Sequence, residues 1–459
     1  MNFKKLSTSL LARIVVAIIL GVITSQFFPT GLARVFITFN SLFGNFLGFF
    51  VPVLIFALIT PAIAGLGSGA GKWLGLTAGI AYISTVLSGT LAYVTARVVY
   101  PWLLGDQTVN SVSDIDEGAL TSYFNIEIDP PFGVMTALIL AFCFGVAMTT
   151  VKSDNLYKVS REVESVVMKV ISGFVIPLLP VFIYGMFLGL GMNGNLQDTF
   201  ISFGKVLVLA IIGTFVFLIF QFALAGIIAK TNPIKAFANM LPAYATALGT
   251  SSSAATIPIT YAAALRNGVE KNVAGFAVPL CATIHLAGSM MKIMLFAFAI
   301  VYMEHIDVPV GLAIGFMLML GITMIAAPGV PGGAIMAAVG LLASMLGFDE
   351  SQVALMIAAY IAIDSFGTAA NVTGDGALAL IINRFAAGKI KPADLAEVPG
   401  VDAVPASAEA DTAGTAAPAN ISAYSKGALH SSAAQAAGSR RIPGSTSDET
   451  FVVFDEVEP

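Results

Sequence analysis

Seven polar side chains stand inside two long apolar stretches, and their spacing is that of helix faces. In the stretch 352–385, Asp364, Thr368, Asn371 and Asp375 follow one another at intervals of four, three and four. That pattern places all four on one stripe of a helix. In the stretch 272–303, His285, Ser289 and Lys292 repeat the four-then-three interval. An ionisable group at the middle of a membrane helix costs roughly 2.5–3.5 kcal/mol, so each such residue calls for a partner or a task. A carboxylate in such a seam can accept a cation or an ammonium group. An imidazole can serve as a neutral hydrogen-bonder between helices or handle a cation or proton. The opposite formal charges of the two stripes invite pairing: Asp364 could be a packing carboxylate bonded to Lys292, and Lys292 a charge-compensating group. Asp375, nearer one end, could also be solvated. A third polar set is the run Ser251, Ser252 and Ser253, bracketed by apolar arms.

The elements that must carry these residues are set by composition. The chain of 459 residues is 57% hydrophobic and 11% charged, with mean hydropathy +0.89, which places it in a bilayer. Runs long enough to cross the hydrocarbon core, about 20 residues each, fall near 9–28, 36–66, 73–103, 131–151, 165–192, 203–229, 272–303 and 352–385. The first follows Lys4 and Lys5 and shows no small-residue cleavage site before Pro29, so it reads as a retained helix. Two further apolar stretches, 234–267 and 309–347, break in the middle. The breaks lie at Gly249-Thr250-Ser251-Ser252-Ser253 and at Pro328-Gly329-Val330-Pro331-Gly332-Gly333. Their arms are too short for a full crossing, and they read as re-entrant helical hairpins whose tips must be buried in protein or line a wet cavity. The predicted fold class is therefore an all-α membrane protein with eight transmembrane helices plus two re-entrant hairpins, entering from opposite sides as an inverted repeat around a midplane site.

Charge between the spans gives an orientation. Lys4, Lys5, Lys72, Lys152, Lys158, Arg161, Lys230, Lys235, Arg266, Lys271, Arg384, Lys389 and Lys391 share one side. The other side holds Asp106, Asp114, Asp116, Glu117, Glu127, Asp129, Glu304, Asp307, Asp349 and Glu350, with Arg34, Arg97 and Lys205 as basic exceptions. By the positive-inside rule both termini are cytoplasmic. Residues 1–391 form the transmembrane domain. Residues 392–459, rich in Ala, Ser, Gly, Thr and Pro, read as a disordered cytoplasmic tail. Cys143 and Cys281 lie in apolar segments and behave as small hydrophobes. The charge distribution leaves no role for nucleic acid as a partner.

Ser252-Ser253-Ala254-Ala255-Thr256-Ile257-Pro258 resembles the serine-rich first hairpin of the glutamate transporter homologues, the dicarboxylate/amino acid:cation symporter family. Gly329-Val330-Pro331-Gly332 resembles the tip of their second hairpin, Asn371-Val372-Thr373-Gly374-Asp375 their eighth-helix signature, and Ala274-Gly275-Phe276 through Ala282-Thr283-Ile284 the approach to their seventh-helix motif. The likeness spans residues 8–390, and the order of the motifs is more specific than any one of them. It implies a non-enzymatic secondary symporter of the cell inner membrane and a homotrimer. It also implies a scaffold over about 9–66 and 131–192 and a transport part over about 73–103 and 203–391 that moves as an elevator.

By position, the resemblance gives substrate contacts to Ser252, Ser253, Ser289, Gly329, Val330, Asp364, Thr368 and Asn371, with Asp364 accepting the substrate ammonium and the hairpin tips offering amides to its carboxylate. No cofactor is implied beyond sodium as the coupling ion. One ion would take the carbonyls of Cys281, His285 and Asn371 and the Asp375 carboxylate; a second would sit between the carbonyl of Thr283 and the second hairpin, hard oxygen donors in both cases.

Two departures shape the functional expectation. Where the family reads Asn-Met-Asp-Gly-Thr, this chain has His285-Leu286-Ala287-Gly288-Ser289, which removes two ligands of a third sodium site shared with Tyr82, Ser84 and Thr85. Positive charge from His285 or Lys292 is expected there instead, with fewer sodium ions per cycle or a proton in place of one. The arginine that clamps an acidic substrate's distal carboxylate is Gly367 here, and nothing replaces its fork at that position. A small neutral amino acid such as serine, threonine or alanine is expected. An acidic amino acid or dicarboxylate, sodium- or proton-coupled, is the alternative, with Lys292 as the rescuing cation. Ser252 or Ser253 with His285 and Asp364 also has the composition of a serine hydrolase, which needs the base within reach of the serine and a carboxylate orienting the base.

Overall fold

The computed structural model describes residues 10–67, 71–105, 121–151, 154–192, 196–327 and 331–390. Every regular element among them is helical. In chain order they are α1 (Leu10–Thr24), α2 (Thr30–Gly67), α3 (Gly71–Leu103), α4 (Val134–Thr150), α5 (Asp154–Val170) and α6 (Ile176–Met192), then α7 (Leu196–Ala229), α8 (Pro233–Thr250), α9 (Ser253–Arg266), α10 (Lys271–Ile284), α11 (Ala287–Met303), α12 (Val310–Ala326), α13 (Gly333–Leu346), α14 (Glu350–Ala362) and α15 (Asp364–Ala386). A single wide π turn, Ile171–Val175, joins α5 to α6. Each apolar stretch of the sequence is helical, as expected.

By length and composition, five helical stretches among the described residues are able to cross a membrane: Thr30–Gly65, Lys72–Leu103, Asn155–Met192, Ile201–Ala229 and Lys271–Met303. The pair α14 and α15 adds a sixth if counted as one bent span. Two stretches expected as single helices are broken. The seventh is interrupted at His285 and Leu286, and the eighth bends by 62° at Ile363. His285 is therefore not on one continuous stripe with Ser289 and Lys292, because α10 ends at Ile284 and α11 begins only at Ala287.

Both apolar stretches with central breaks are pairs of packed helices, α8 with α9 and α12 with α13. The first turns at Ser251, a non-glycine residue at φ 50°, and restarts at Ser252, whose Oγ accepts the Ala255 N–H at 3.3 Å. A serine N-cap suits this task because it satisfies one of the free first-turn amides. The second restarts at Gly332, at φ 75°, where only glycine sits without strain.

Helix α11 is the axis of the assembly. Every residue from Ala287 to Ile300 is buried, the polar Ser289 and Lys292 included. It packs along α3, α7, α14 and α15, and α15 in turn lies along α7, α8, α9 and α10. Elsewhere α2 runs against α4, α5 and α6, and α1 against α6.

At the far end of α11 the chain is fastened by polar groups. Asp349 and Gln352 form a capping box at the start of α14, each accepting the other's backbone N–H at 2.8 Å, and the Gln352 amide also donates to Glu304. Burial, with the neighbouring Asp349 charge adding to it, pushes the Glu304 carboxyl from 4.5 up to about 7. The folded state thus holds this proton more tightly than the unfolded state. Its contribution to stability is complete below pH 4.5 and is lost as pH rises through about 7. Melting of the detergent-solubilised protein between pH 5 and pH 8 should show a smaller decline in Glu304→Gln than in the wild type; equal slopes would refute the assignment.

Candidate functional site

The interruption at His285 and Leu286 brings the C-terminal end of α10 and the N-terminal end of α11 together in the buried interior. Neither end can reach water, so its free carbonyls and amides need other partners. Leu286, the N-cap of α11, has no capping side chain of its own. Asn371 of α15 supplies the cap instead: its Oδ1 accepts the Gly288 N–H at 2.7 Å and the Ser289 N–H at 3.4 Å. The Ser88 hydroxyl of α3 donates to the Ala287 carbonyl at 2.7 Å. Gly288 makes this approach of α11 to α15 possible, since a Cβ there would lie 2.5 Å from the Gly367 carbonyl oxygen and 2.9 Å from the Ala370 Cβ. Both obstacles belong to a rigid helix. Gly288→Ala is expected to destabilise the protein by about 1–3 kcal/mol, which thermal melting can check; a variant with wild-type melting would refute the tight contact.

The two polar stripes meet in antiparallel register. His285 Nδ1 lies 2.9 Å from Asp375 Oδ1, the Asn371 amide donates to Ser289 Oγ at 3.1 Å, and Lys292 Nζ lies 3.4 Å from Asp364 Oδ1. All six residues are buried. Thr368, within the same stripe, returns its hydroxyl to the Asp364 carbonyl at 3.0 Å.

Asp364 opens α15 just after the 62° bend. Its Oδ2 accepts the Gly332 N–H at 2.9 Å, so the carboxylate touches the restart of the second hairpin. A carboxylate at a helix N-terminus is favourably placed against the helix dipole. Lys292 faces it with a buried ammonium that also points at the Ile363 carbonyl (3.4 Å) and stands over the ring of Tyr360 (3.7 Å to its centre). A Cβ at Gly367 would collide with Cε and Nζ of Lys292. The space beside Gly367 is thus filled by the lysine.

At the other end of the register His285 is held on both nitrogens. Nε2 lies 3.1 Å from Ser84 Oγ and 3.3 Å from Gln221 Nε2, and Gln221 donates to Ser84 Oγ at 2.8 Å. Asp375 Oδ2 is buried and has no hydrogen-bond partner among the described residues, and neither have the hydroxyls of Thr85 and Thr373. Buried polar atoms are rarely left so, and an unpaired carboxylate oxygen is a donor atom suited to a hard cation.

Of the other expected site residues, Ser253 is buried in the first turn of α9, and Ser252 caps that turn. Cys281 is buried, its carbonyl accepting the His285 N–H at 2.8 Å, and Thr283 turns its hydroxyl back to the Leu280 carbonyl at 2.7 Å. Tyr82 donates to the Leu318 carbonyl at 3.2 Å. Gly329 and Val330 lie outside the described residues. The hydrolase arrangement is not formed: His285 is engaged by Asp375, Ser84 and Gln221, and Asp364 by Lys292 and Gly332. Two members of the site escaped the sequence reading. Gln221, a lone amide within the apolar run of α7, carried a signal by its depth alone. Tyr360, whose hydroxyl donates to Ser289 Oγ at 2.8 Å, carried none.

The family model of the sodium:dicarboxylate symporter family matches residues 10–385, nearly all of the described chain. The chain belongs to that family. It is a membrane transporter and not an enzyme, and the coupling ion of its family is sodium. Among curated proteins, the serine/threonine transporter SstT of Acinetobacter baumannii (strain AYE) is 29% identical over 388 residues, covering 80% of this chain and 94% of the relative. The protein of the same name from Bifidobacterium adolescentis is 27% identical over 346 residues, 72% of this chain and 78% of the relative. Excitatory amino acid transporter 1 of Rattus norvegicus is 32% identical over 170 residues, 37% of this chain and 31% of the relative.

Proposed function

We propose that this symporter takes up a small neutral amino acid, of the serine, threonine or alanine kind, together with sodium. The observation that carries the substrate class is the engagement of Lys292. It is the one buried lysine or arginine side chain among the described residues, and it is committed to Asp364 and the Tyr360 ring. An acidic substrate would bring two carboxylates and one ammonium to a site where Asp364 and Lys292 already cancel, leaving one carboxylate without a counter-cation. Burying that carboxylate unpaired would cost several kcal/mol. The names of the two bacterial relatives agree with a hydroxylated neutral substrate. Asp364 receives the substrate ammonium, with Ser253, Ser289, Thr368 and Asn371 around the substrate and the two hairpin restarts facing its carboxylate. Sodium takes the open oxygen of Asp375 with carbonyls of Cys281, His285 and Asn371, and a second ion the carbonyl of Thr283.

In the same reading eight crossings and two re-entrant hairpins lie in the cell inner membrane with both termini cytoplasmic. The helices α1, α2, α4, α5 and α6, which pack on one another, serve as the fixed scaffold of a homotrimer. The helices gathered around α11 and α15 carry the substrate as an elevator. Support for this division is the packing pattern and the family's motifs.

Uptake into proteoliposomes under an imposed sodium or proton gradient tests the assignment. Serine, threonine or alanine should accumulate with the sodium gradient and compete better than aspartate or succinate. Aspartate or succinate outcompeting serine would establish the acidic alternative, in which Lys292 leaves Asp364 to meet the distal carboxylate. Uptake that ignores sodium and collapses with the proton gradient would replace the coupling ion.

A further inference from the structure

Lys292 is held in an unusual way for a fully buried ammonium. Its two oxygen partners, the Asp364 carboxylate and the Ile363 carbonyl, both stand 3.4 Å away, at the outer edge of hydrogen bonding, while the Tyr360 ring lies close beneath it at 3.7 Å to its centre. Charge-assisted N–H···O bonds ordinarily close to about 2.7–2.9 Å. The stem, by contrast, is fixed: it lies in the space that the missing side chain of Gly367 leaves. The geometry is that of a tethered cation with a firm stem and a head seated on a ring but only loosely bonded to its carboxylate.

We infer that Lys292 is an internal counter-cation, which neutralises Asp364 in the empty carrier and cedes it to the substrate ammonium on binding. The inference rests on the reading that Asp364 is the ammonium site. An incoming ammonium able to form a short bond to Asp364 Oδ1 displaces the long contact, and Lys292 retains the Tyr360 face and the Ile363 carbonyl. The charges balance in both states. Empty, the site holds one carboxylate and one ammonium. Loaded, it holds the same pair plus a zwitterion of no net charge. The second hairpin, which touches Asp364 through the Gly332 N–H, can therefore close over a neutral site whether or not substrate is present, and the unloaded carrier returns without borrowing a cation from solution.

Purified protein in proteoliposomes tests this through two rates measured with one radiolabelled amino acid: exchange, which needs only the loaded carrier to move, and net uptake, which also needs the empty carrier to return. Lys292→Met keeps the volume of the stem and removes the charge. It should lower the ratio of net uptake to exchange at least tenfold. A second measurement uses the wild type alone, so it holds even if the variant fails to fold. Net uptake should differ by less than threefold between vesicles filled with potassium and vesicles filled with N-methyl-D-glucamine. A variant ratio equal to wild type, or a wild-type net uptake that drops more than threefold without internal potassium, overturns the inference while leaving the substrate site intact. Absence of exchange in the wild type with every amino acid offered would remove the substrate reading itself.

Discussion

Asp364→Asn is expected to lower exchange and net uptake together by at least about a hundredfold. Three losses coincide in this one change. On the proposed reading the substrate ammonium loses a charged acceptor, and hydrogen bonds to an ionised acceptor are roughly twice as strong as neutral ones. Lys292, 3.4 Å away and fully buried, loses the carboxylate paired with it. Removing one partner of a buried ion pair costs about 3–5 kcal/mol. The Gly332 N–H, which donates to Asp364 Oδ2 at 2.9 Å, must then compete for the single carbonyl oxygen of the amide, so the second hairpin is also held less firmly. Binding followed by thermal shift, alongside uptake, separates these effects: the variant should melt earlier and show no stabilisation by substrate. Uptake within fivefold of wild type would mean that the ammonium is received elsewhere and that Asp364 only packs against Lys292.

Asp375→Asn should act at the opposite end of the same register and on a different ligand. Asp375 is buried, with Oδ1 against His285 Nδ1 at 2.9 Å and Oδ2 without a hydrogen-bond partner among the described residues. If the open oxygen is a sodium donor, neutralising it removes the one formal negative charge from an ion site otherwise built of carbonyls. A loss of about 3 kcal/mol, at the lower end for an unpaired buried charge, corresponds to a more than hundredfold rise in the sodium concentration that supports half-maximal substrate binding. Sodium titrations of substrate-induced thermal stabilisation read this directly. An unchanged sodium midpoint in a variant that melts earlier would assign Asp375 to holding the imidazole of His285 alone. The two substitutions are also diagnostic as a pair: Asp364→Asn should abolish the response to substrate, Asp375→Asn should move the response to sodium.

How much of this was legible beforehand differs from residue to residue. Asp364, Thr368, Asn371 and Asp375 remain on one helix because α15 begins at Asp364 and runs unbroken past Asp375. Their intervals therefore translate directly into one face. For His285, Ser289 and Lys292 the same intervals suggested a second seam able to face the first and one pairing, Lys292 with Asp364, although the helix is broken between the first residue and the second. The break at His285 and Leu286 has no proline or paired glycine in it. It exists because Asn371, from a helix far along the chain, caps the restart through the Gly288 and Ser289 amides. The cap is a tertiary contact. Gly367 marked an absence in the sequence, and only the structure supplies the occupant of the space.

What the sequence by itself determined was the apolar helical stretches, two of the interruptions in them and the polar faces, because a bilayer forbids unsatisfied backbone and makes every buried charge costly. Those constraints act locally and leave their mark in spacing. Tertiary structure decided the register between the faces, so that His285 meets Asp375, Ser289 meets Asn371 and Lys292 meets Asp364, and it recruited Gln221, Ser84 and Tyr360 to them. Helical periodicity fixes the direction of a side chain about its own axis; which neighbour it meets depends on the rotation and offset of two packed helices, and those are settled by the whole core at once.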